Sequence, residues 1–256
     1  MTRVIKIGGR PQGDPALSAA LATDWASARL NGGLVLVHGG GDEVTTLQAA
    51  LGGSTKFVNG RRVTAERDID LVRMGLSGSA NKRLVSSLVQ SGIDAVGISG
   101  EDAALIGATP MDAEQLGYVG TPTSVNVAFL RHLLSGGYLP VISPVSRDDT
   151  GTLGAALNVN GDDAAAAIAV ALGAKELLLV ADVEGVLCDG KVVTELTPES
   201  AQRLMAEGIA AGGMQAKVQA GLSAIAGGVS CVRISDIAAI TDPERGTKLR
   251  AIGDLS

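Results

Sequence analysis

Apolar and polar residues follow one another along this chain in segments that predict a repeated strand–helix order. Short, mostly apolar runs are typical of strands buried in a parallel sheet. They are Arg3–Ile7, Leu34–Val37, Ala95–Ser99, Leu139–Ser143, Leu177–Ala181 and Cys231–Ser235. Segments with the apolar spacing of amphipathic helices lie around them. These are Asp14–Leu30, Asp42–Leu51, Glu66–Leu76, Asn81–Ser91, Val125–Leu134, Asp162–Leu172, Pro198–Glu207 and Met214–Ala226.

Strands that alternate with helices predict a mainly parallel sheet that is covered by helices on both faces. Three stretches break the alternation and read as hairpins added to this framework: Lys56–Thr64, Ala104–Thr121 and Val186–Leu196. We therefore expect an α/β fold, a three-layer α/β/α sandwich whose mainly parallel central sheet has about eight strands.

Composition and charge exclude several classes of protein. The 256 residues include 21 Lys and Arg against 27 Asp and Glu, a net charge of −6, and only 2% are aromatic. A nucleic-acid-binding protein would normally carry a basic excess or a base-stacking surface. The most apolar stretch, Ala164–Leu172, is too short to span a bilayer, and Cys188 and Cys231 match no metal-binding spacing. Because the first strand begins at Arg3, we expect no signal peptide and a cytoplasmic protein without nucleic-acid or membrane partners.

Two of the predicted strands end in glycine, at Gly8–Gly9 and at Gly39–Gly41. Ligands of open α/β sheets bind at such strand ends, where glycine lets backbone N–H groups approach an anion and the next helix adds its positive N-terminus. Each cluster alone is equally compatible with a plain turn. Lys6 is more informative, because a lysine in an apolar strand is costly to bury unless it serves an anion; the alternative is a lysine at an exposed edge.

A second group of polar residues lies in the later half of the chain. Asp162 precedes an alanine-rich segment, where a carboxylate is favoured as a helix cap and by the helix dipole. Asp182 follows a predicted strand, and Lys217 lies just inside a predicted helix after two glycines. A cap, a turn residue and a surface lysine are the simpler interpretations, so no single position decides the function.

In this order, the motifs together resemble the amino acid kinase family. The matching segments cover nearly the whole chain: Lys6–Gly9, Val37–Gly41, Asn59–Thr64, Gly78–Lys82, Val96–Gly100, Asn158–Asp162, Ala181–Val186 and Gly213–Lys217. The resemblance implies transfer of the γ-phosphoryl group of ATP to a substrate carboxylate, which gives an acyl phosphate. Within the family, the pattern is similar to that of members that phosphorylate the side chain of N-acetyl-L-glutamate in arginine biosynthesis.

The resemblance also implies roles for single residues. Lys6 and Lys217 match the two lysines that neutralise the transferring phosphoryl group, and Asp162 matches the carboxylate that orients them. The positions that match the acyl-amino-acid site are Gly40, Gly41, Arg62 and Asn158, and the arginine would clamp the α-carboxylate with a planar fork. The positions that match the nucleotide site are Gly8, Gly9, Asp182, Gly185, Ile209, Ala210 and Ala211. Mg²⁺ would enter with ATP, and we expect no dedicated metal site or permanently bound cofactor.

The same resemblance implies two lobes and a homodimer. Residues 1–175 would bind the amino acid and form the dimer, and residues 176–256 would bind the nucleotide. The dimer would use apolar positions of two predicted helices, unless all of them serve the protomer's own core: Ile69, Val72, Met74, Leu76, Leu84, Val85, Leu88 and Val89. Because only two residues precede the first strand, we also expect no inhibition by arginine, which in related kinases uses an additional N-terminal helix.

Two departures and two alternatives accompany this interpretation. Ala216 stands where the family often has a proline, and the segment from Ser235 to Ser256 matches less well, which leaves the adenine contacts open. One alternative is the same reaction on N-succinylglutamate or on a carrier-linked aminoadipate. The other is a non-catalytic nucleotide or amino-acid sensor, against which the presence of Lys6, Lys217 and Asp162 argues.

Overall fold

One large sheet organises the chain, for which the computed structural model describes residues 2–58, 60–153 and 156–251. Asn59 of the predicted hairpin motif and residues 252–256 of the predicted second lobe lie outside the described residues. The strands are β1 (Arg3–Ile7), β2 (Leu34–His38), β3 (Phe57–Val58), β4 (Arg61–Arg62), β5 (Ala95–Gly100), β6 (Ile106–Pro110), β7 (Val119–Val125), β8 (Leu139–Asp148), β9 (Ala156–Val159), β10 (Glu176–Val180), β11 (Leu187–Cys188), β12 (Lys191–Val192), β13 (Glu195–Leu196), β14 (Cys231–Ser235) and β15 (Thr247–Leu249).

The sheet is larger and more mixed than predicted. Over the described ranges it has eleven strands in the order β13-β15-β14-β10-β1-β2-β8-β6-β7-β9, with β5 also paired to β8. Its centre, from β14 to β8 and β5, is parallel, whereas the pairs β14–β15, β6–β7 and β8–β9 are antiparallel. The predicted α/β class is confirmed. The sheet has more strands than the eight or so predicted, and it is not wholly parallel. The additional strands β9, β13 and β15 have at most four residues each, which is too short to give a recognisable apolar run.

Helices cover both faces of the sheet. They are α1 (Pro15–Ala28), α2 (Gly41–Ala50), α3 (Ile69–Val72), α4 (Asn81–Gln90), α5 (Ala113–Leu116), α6 (Val127–Ser135), α7 (Gly161–Leu172), α8 (Pro198–Ala206) and α9 (Gly212–Ala226). Because side chains alternate along a strand, Ile5 and Ile7 of β1 join the core under α1 and α4, whereas Val4 joins the core under α7 and α9. Lys6 therefore lies on the face that α7 covers.

The two helices predicted over Glu66–Leu76 and Asn81–Ser91 form one nearly continuous helical run. A short 3₁₀ turn at Glu66–Asp68 leads into α3, and a π-helical segment, Arg73–Ala80, joins α3 to α4. The π segment contains two glycines and two serines, which are weaker helix formers than the residues around them. Single π turns of this kind occur frequently beside functional sites.

The three predicted hairpins are present. Lys56–Thr64 contains the antiparallel pair β3–β4, which forms a small sheet of its own, and Ala104–Thr121 contains the start of the β6–β7 pair. Val186–Leu196 contains the pair β11–β12, and then β13 returns to the edge of the large sheet. Within the described ranges, no helix combines the length and the apolar character that crossing a membrane requires.

Arg233 is a buried charge that joins β14 to β10 and to the backbone that follows β14. It lies on β14 with 1% of its surface exposed, and its Nε donates to Glu176 on β10 at 2.6 Å. Its remaining nitrogens donate to the backbone carbonyls of Ala239, Asp242 and Arg245 at 2.9–3.0 Å. A buried guanidinium with this many acceptors cannot be lost without leaving several of them unpaired.

We expect Arg233→Met to lower the free energy of unfolding by roughly 3 kcal/mol, because buried carbonyls and part of the Glu176 carboxylate lose their donor. Urea unfolding followed by circular dichroism measures this change. Arg67→Met is the matched control, since the Arg67 side chain is 85% exposed. Equal effects of the two substitutions would show that the buried network contributes nothing specific.

Candidate active site

Three charged side chains meet at the carboxyl end of the central strands. Nζ of Lys6, next to the end of β1, lies 2.9 Å from Oδ1 of Asp162, and Nζ of Lys217, on α9, lies 3.3 Å from Oδ2. Lys6 is 6% and Asp162 is 3% exposed. The structure thus brings together the three residues predicted to be catalytic, and one carboxylate holds both lysines.

The local sequence explains why Asp162 occupies this position. Asn160 caps α7, because its side-chain oxygen accepts the backbone N–H of Asp162 at 2.8 Å. A carboxylate in the first turn is also favoured by the helix dipole. Gly161 lies between them, and a Cβ atom there would lie 3.2 Å from Cε of Lys6, which is a tight contact. The cap and the glycine together let β1 and α7 bring their charged side chains into contact.

Burial and charge set the ionisation of this group. Burial alone would raise the pKa of Asp162, but the charges of Lys6 and Lys217 outweigh it and hold that pKa below its ordinary value. Burial lowers the pKa of Lys6, with Asp162 opposing the shift and Lys217 adding to it. Two ammonium groups around one carboxylate leave an excess of positive charge in a site of low dielectric, which attracts an anion strongly.

A loop of three glycines, Gly39–Gly41, joins β2 to α2 and faces the charged group of Lys6 and Asp162. The N–H of Gly39 donates to the carbonyl of Ile7 at 2.9 Å, which joins this loop to the end of β1. Gly40 has a φ of 141°, and a Cβ atom there would lie 2.9 Å from Cδ2 of Leu76 in the π-helical segment. Only glycine combines this backbone conformation with such a close approach.

His38 holds the glycine loop by a hydrogen bond, a role that the sequence motif did not show. Its Nδ1 hydrogen-bonds the Gly39 carbonyl at 2.6 Å, and its Nε2 accepts from the side-chain amide of Asn81 at 3.0 Å. Burial lowers the pKa of His38 to about 4, so the imidazole is neutral near pH 7. Both residues belong to the quoted motifs, but only the fold places Asn81, at the start of α4, against the histidine.

A cavity of about 220 Å³ lies between the glycine loop, the β3–β4 hairpin and β9. All four positions predicted to bind the acyl-amino acid line it, together with two members of the charged group: Gly40, Gly41, Arg62, Asn158, Lys6 and Asp162. Asn158 is fixed on β9 by a hydrogen bond from its amide to the hydroxyl of buried Thr64, at 2.9 Å. The predicted substrate residues therefore share one cavity with the charged group.

Arg62, the predicted clamp of the α-carboxylate, is held by four hydrogen bonds to the protein. Its Nη1 donates to Gln48 at 2.7 Å and to Thr55 at 3.1 Å, and its Nη2 donates to the Gly41 carbonyl at 2.7 Å and to Thr45 at 2.8 Å. These four acceptors are uncharged, and burial lowers the pKa of the guanidinium. A substrate carboxylate would have to replace threonine hydroxyls to be bound by both Nη atoms.

A second cavity, of about 260 Å³, lies on the other side of the charged group. Its lining includes Lys217 and three of the positions predicted to bind the nucleotide: Gly8, Gly9 and Asp182. Gly9 and Gly41 line both cavities. One lysine thus faces the first cavity and the other faces the second, with their common carboxylate at the boundary.

The remaining positions predicted for the nucleotide do not line either cavity. Ala210 is buried in the core and Ile209 is 39% exposed, both in the turn between α8 and α9, and Ala211 precedes α9 directly. Gly185 lies beside Thr247, whose hydroxyl accepts the N–H of the next residue, Val186, at 2.8 Å. Their contact with a nucleotide stays a prediction.

Known proteins are similar to this chain over most of its length. The sequence pattern of the amino acid kinase family matches residues 1–236. Acetylglutamate kinase from Chloroflexus aurantiacus is 42% identical over 244 residues, which are 93% of each chain. The enzyme of that name from Geobacillus kaustophilus is 44% identical over 225 residues, 88% of this chain and 85% of the relative.

Solved structures share the architecture. The Streptococcus mutans UA159 protein smu.665 superposes with a TM-score of 0.86 at 30% identity, over 97% of this chain and 98% of that one. A carbamate kinase from Giardia, at 16% identity and a TM-score of 0.69 over 97% and 98% of the two chains, has the same fold. These matches confirm the resemblance found in the motifs, and the chain belongs to the amino acid kinase family.

Proposed function

We propose that this protein transfers the γ-phosphoryl group of ATP to the side-chain carboxylate of N-acetyl-L-glutamate, a step of arginine biosynthesis. The observation that carries the proposal is the pair Lys6 and Lys217 on one buried carboxylate between two cavities. The acetylglutamate kinases that are 42–44% identical over most of the chain support the choice of substrate.

The geometry accounts for the chemistry of such a transfer. A substrate carboxylate and the γ-phosphate are both anions, so the barrier is largely their repulsion, and fixed positive charge between them lowers it. Lys6 would neutralise the reacting oxygens from the substrate side and Lys217 from the nucleotide side. Asp162 would hold both lysine side chains in place.

The bond changes need no general base. An oxygen of the ionised substrate carboxylate would attack the γ-phosphorus, while the bond from that phosphorus to the β–γ bridging oxygen breaks and leaves ADP. The carboxylate is already deprotonated near pH 7. Backbone N–H groups of the loops at Gly8–Gly9 and Gly40–Gly41 are suited to bind the phosphoryl and carboxylate oxygens. The residues of this chain therefore act by position and charge.

ATP would lie in the second cavity with its phosphates at Gly8 and Gly9, and Asp182 beside them. Among the described residues, no group of three or more His, Cys, Asp or Glu side chains is arranged to hold a metal ion. Mg²⁺ would instead be carried by the phosphate oxygens of ATP, which it prefers, and we propose no permanently bound cofactor. Gly185 and the turn Ile209–Ala211 would serve the nucleotide further along the same side.

Two lobes and a homodimer are part of the proposal. Residues 1–175 would bind the amino acid, and residues 176–256 the nucleotide. Five of the eight apolar positions considered for the dimer are buried within the protomer: Ile69, Val72, Leu76, Leu84 and Leu88. Met74 at 56% and Val89 at 53% exposure remain available for a two-fold contact. We propose that this smaller surface forms the dimer, in the cytoplasm.

A trapping assay tests the proposed reaction directly. The protein is incubated with ATP, Mg²⁺ and one of N-acetyl-L-glutamate, N-succinyl-L-glutamate, N-acetyl-L-aspartate or free glutamate, and hydroxylamine converts any acyl phosphate into a hydroxamate. We expect hydroxamate and ADP in equal amounts, with the largest kcat/KM for N-acetyl-L-glutamate. Release of ADP without hydroxamate, or preference for another acceptor, would refute the proposal.

Lys6→Met and Lys217→Met should each lower kcat by roughly two to four decades, because each removes a donor to charge that develops in the transition state. The KM values should change much less, since ground-state binding relies on other contacts. Initial rates at saturating substrates measure the effect, with Lys175→Met, an exposed lysine that precedes β10, as control. A near-normal kcat would remove the substituted lysine from the mechanism.

Arg62→Lys should raise the KM for N-acetyl-L-glutamate by about tenfold to a hundredfold and leave the KM for ATP nearly unchanged, because one ammonium cannot replace the paired donors of a guanidinium. Steady-state kinetics with each substrate varied in turn separates the two constants. Arg67→Lys, on the exposed surface, serves as the control. Equal increases in both constants would place Arg62 in the support of the loops alone.

The stability lost in Asp162→Asn should depend on pH. The folded-state pKa of Asp162 lies below the ordinary value of 3.8, so its ion pairs stabilise the fold above about pH 4 and this contribution is lost as the pH falls below that value. Urea unfolding of both proteins at pH 7 and at pH 3.5 measures the difference. We expect the gap between wild type and variant to narrow at the lower pH; a constant or wider gap would contradict the assignment.

A further inference from the structure

A third cavity, of about 490 Å³, lies between β7, α7 and α9. It adjoins the first cavity, which holds the predicted acyl-amino-acid positions and is called the substrate cavity below. Most of its lining is small or apolar, and includes Met111, Pro122, Val125, Ala166, Ala167 and Val170. It is therefore suited to an aliphatic chain rather than to a charged group. Nothing in the proposed transfer to an acetylated amino acid uses this volume.

Arg61 belongs to the lining of both the substrate cavity and the third cavity. Its Nη1 forms an ion pair of 2.6 Å with Oδ2 of Asp163, in the first turn of α7. The two side chains are 22% and 18% exposed, so the pair is mostly shielded from solvent. This contact joins the tip of the β3–β4 hairpin to α7 and lies where the two cavities meet.

The contacts already assigned to the substrate place its acyl group beside Arg61, where the two cavities meet. Besides hydrogen, the α-carbon of an acylated glutamate has three substituents: a carboxylate, a side chain and the acylated nitrogen. In the proposed function, Arg62, which is held against α2, binds the α-carboxylate, and the side-chain carboxylate points to the ammonium group of Lys6. The acylated nitrogen then faces the rest of the lining, to which Arg61 and Asn158 belong.

We propose that Arg61, held by Asp163, is a specificity-determining residue that closes the substrate cavity toward the third cavity and so limits the acyl group to about two carbons. This inference rests on the proposed function and extends it to the length of the acyl group. It accounts for a preference against long or carrier-linked acyl groups, because their chain would have to pass through the position of the guanidinium. The ligand that the opened space would take is a linear, uncharged acyl chain.

The substitution Arg61→Ala removes the side chain that forms the partition, and Arg61→Leu replaces it with apolar bulk. Both leave Asp163 equally without its partner, so they differ mainly in volume. Each buried methylene contributes about 0.8 kcal/mol, which is close to a fourfold change in kcat/KM. A hexanoyl chain adds four methylenes to an acetyl group. Removing the partition should therefore change the ratio of hexanoyl to acetyl kcat/KM strongly.

The test measures kcat/KM for N-acetyl-, N-butyryl- and N-hexanoyl-L-glutamate with wild type and both variants. We expect wild type and Arg61→Leu to favour the acetyl substrate strongly. In Arg61→Ala the ratio of hexanoyl to acetyl kcat/KM should rise by about tenfold to a hundredfold. Activity on N-acetyl-L-glutamate shows that each variant is folded. Adding Ala167→Leu to Arg61→Ala places a larger side chain in the third cavity and should lower this ratio again.

The outcomes separate this inference from the function on which it rests. No phosphorylation of N-acetyl-L-glutamate by wild type would overturn the proposed function and this inference with it. Normal wild-type activity with an unchanged ratio in Arg61→Ala would overturn the inference alone. An equal rise in Arg61→Leu, or a wild type that accepts the hexanoyl substrate as well as the acetyl one, would also overturn it.

Discussion

The structure depends on placing two ammonium groups on one buried carboxylate. Asp162, at the start of α7, contacts Lys6 from β1 and Lys217 from α9. These three elements are far apart in the sequence. Separating any of them would leave an uncompensated charge in the interior, which costs several kcal/mol. The parallel strands, the cap at Asn160 and the close approach at Gly161 all serve this contact. The three charges together are net positive, and this positive charge makes the group a site for two approaching anions.

The sequence was most informative where an element buries a long, regular apolar pattern. Strand β1 and helix α7 lie within a residue or two of their predicted bounds, because the apolar period is a local signal. Short strands carry no such signal: β15 has three residues and takes its position from antiparallel pairing with β14. The sequence predicts two separate helices here, because no local pattern shows the long-range packing of the π-helical segment against α2.

The predicted site residues divide in the same way. Lys6 and Asp162 stand out because charge in a buried strand and at a helix start has a physical cost or benefit that the sequence shows. The support of the glycine loop by His38 and Asn81 depends on long-range packing, and no spacing predicts it. The hydrogen bonds of Arg62 to α2 are likewise visible only in the fold. Sequence motifs identify chemical groups, whereas the fold decides what each group contacts.

The claim that the lysines and Asp162 recognise charge in the transition state can be measured by binding alone. Calorimetry compares the affinity of wild type and Asp162→Asn for ATP with their affinity for ADP, aluminium fluoride and N-acetyl-L-glutamate together, a mimic of the transferring phosphoryl group. We predict that the variant binds ATP within about threefold of wild type but binds the mimic at least about a hundredfold more weakly. Equal losses for ATP and for the mimic would contradict the account.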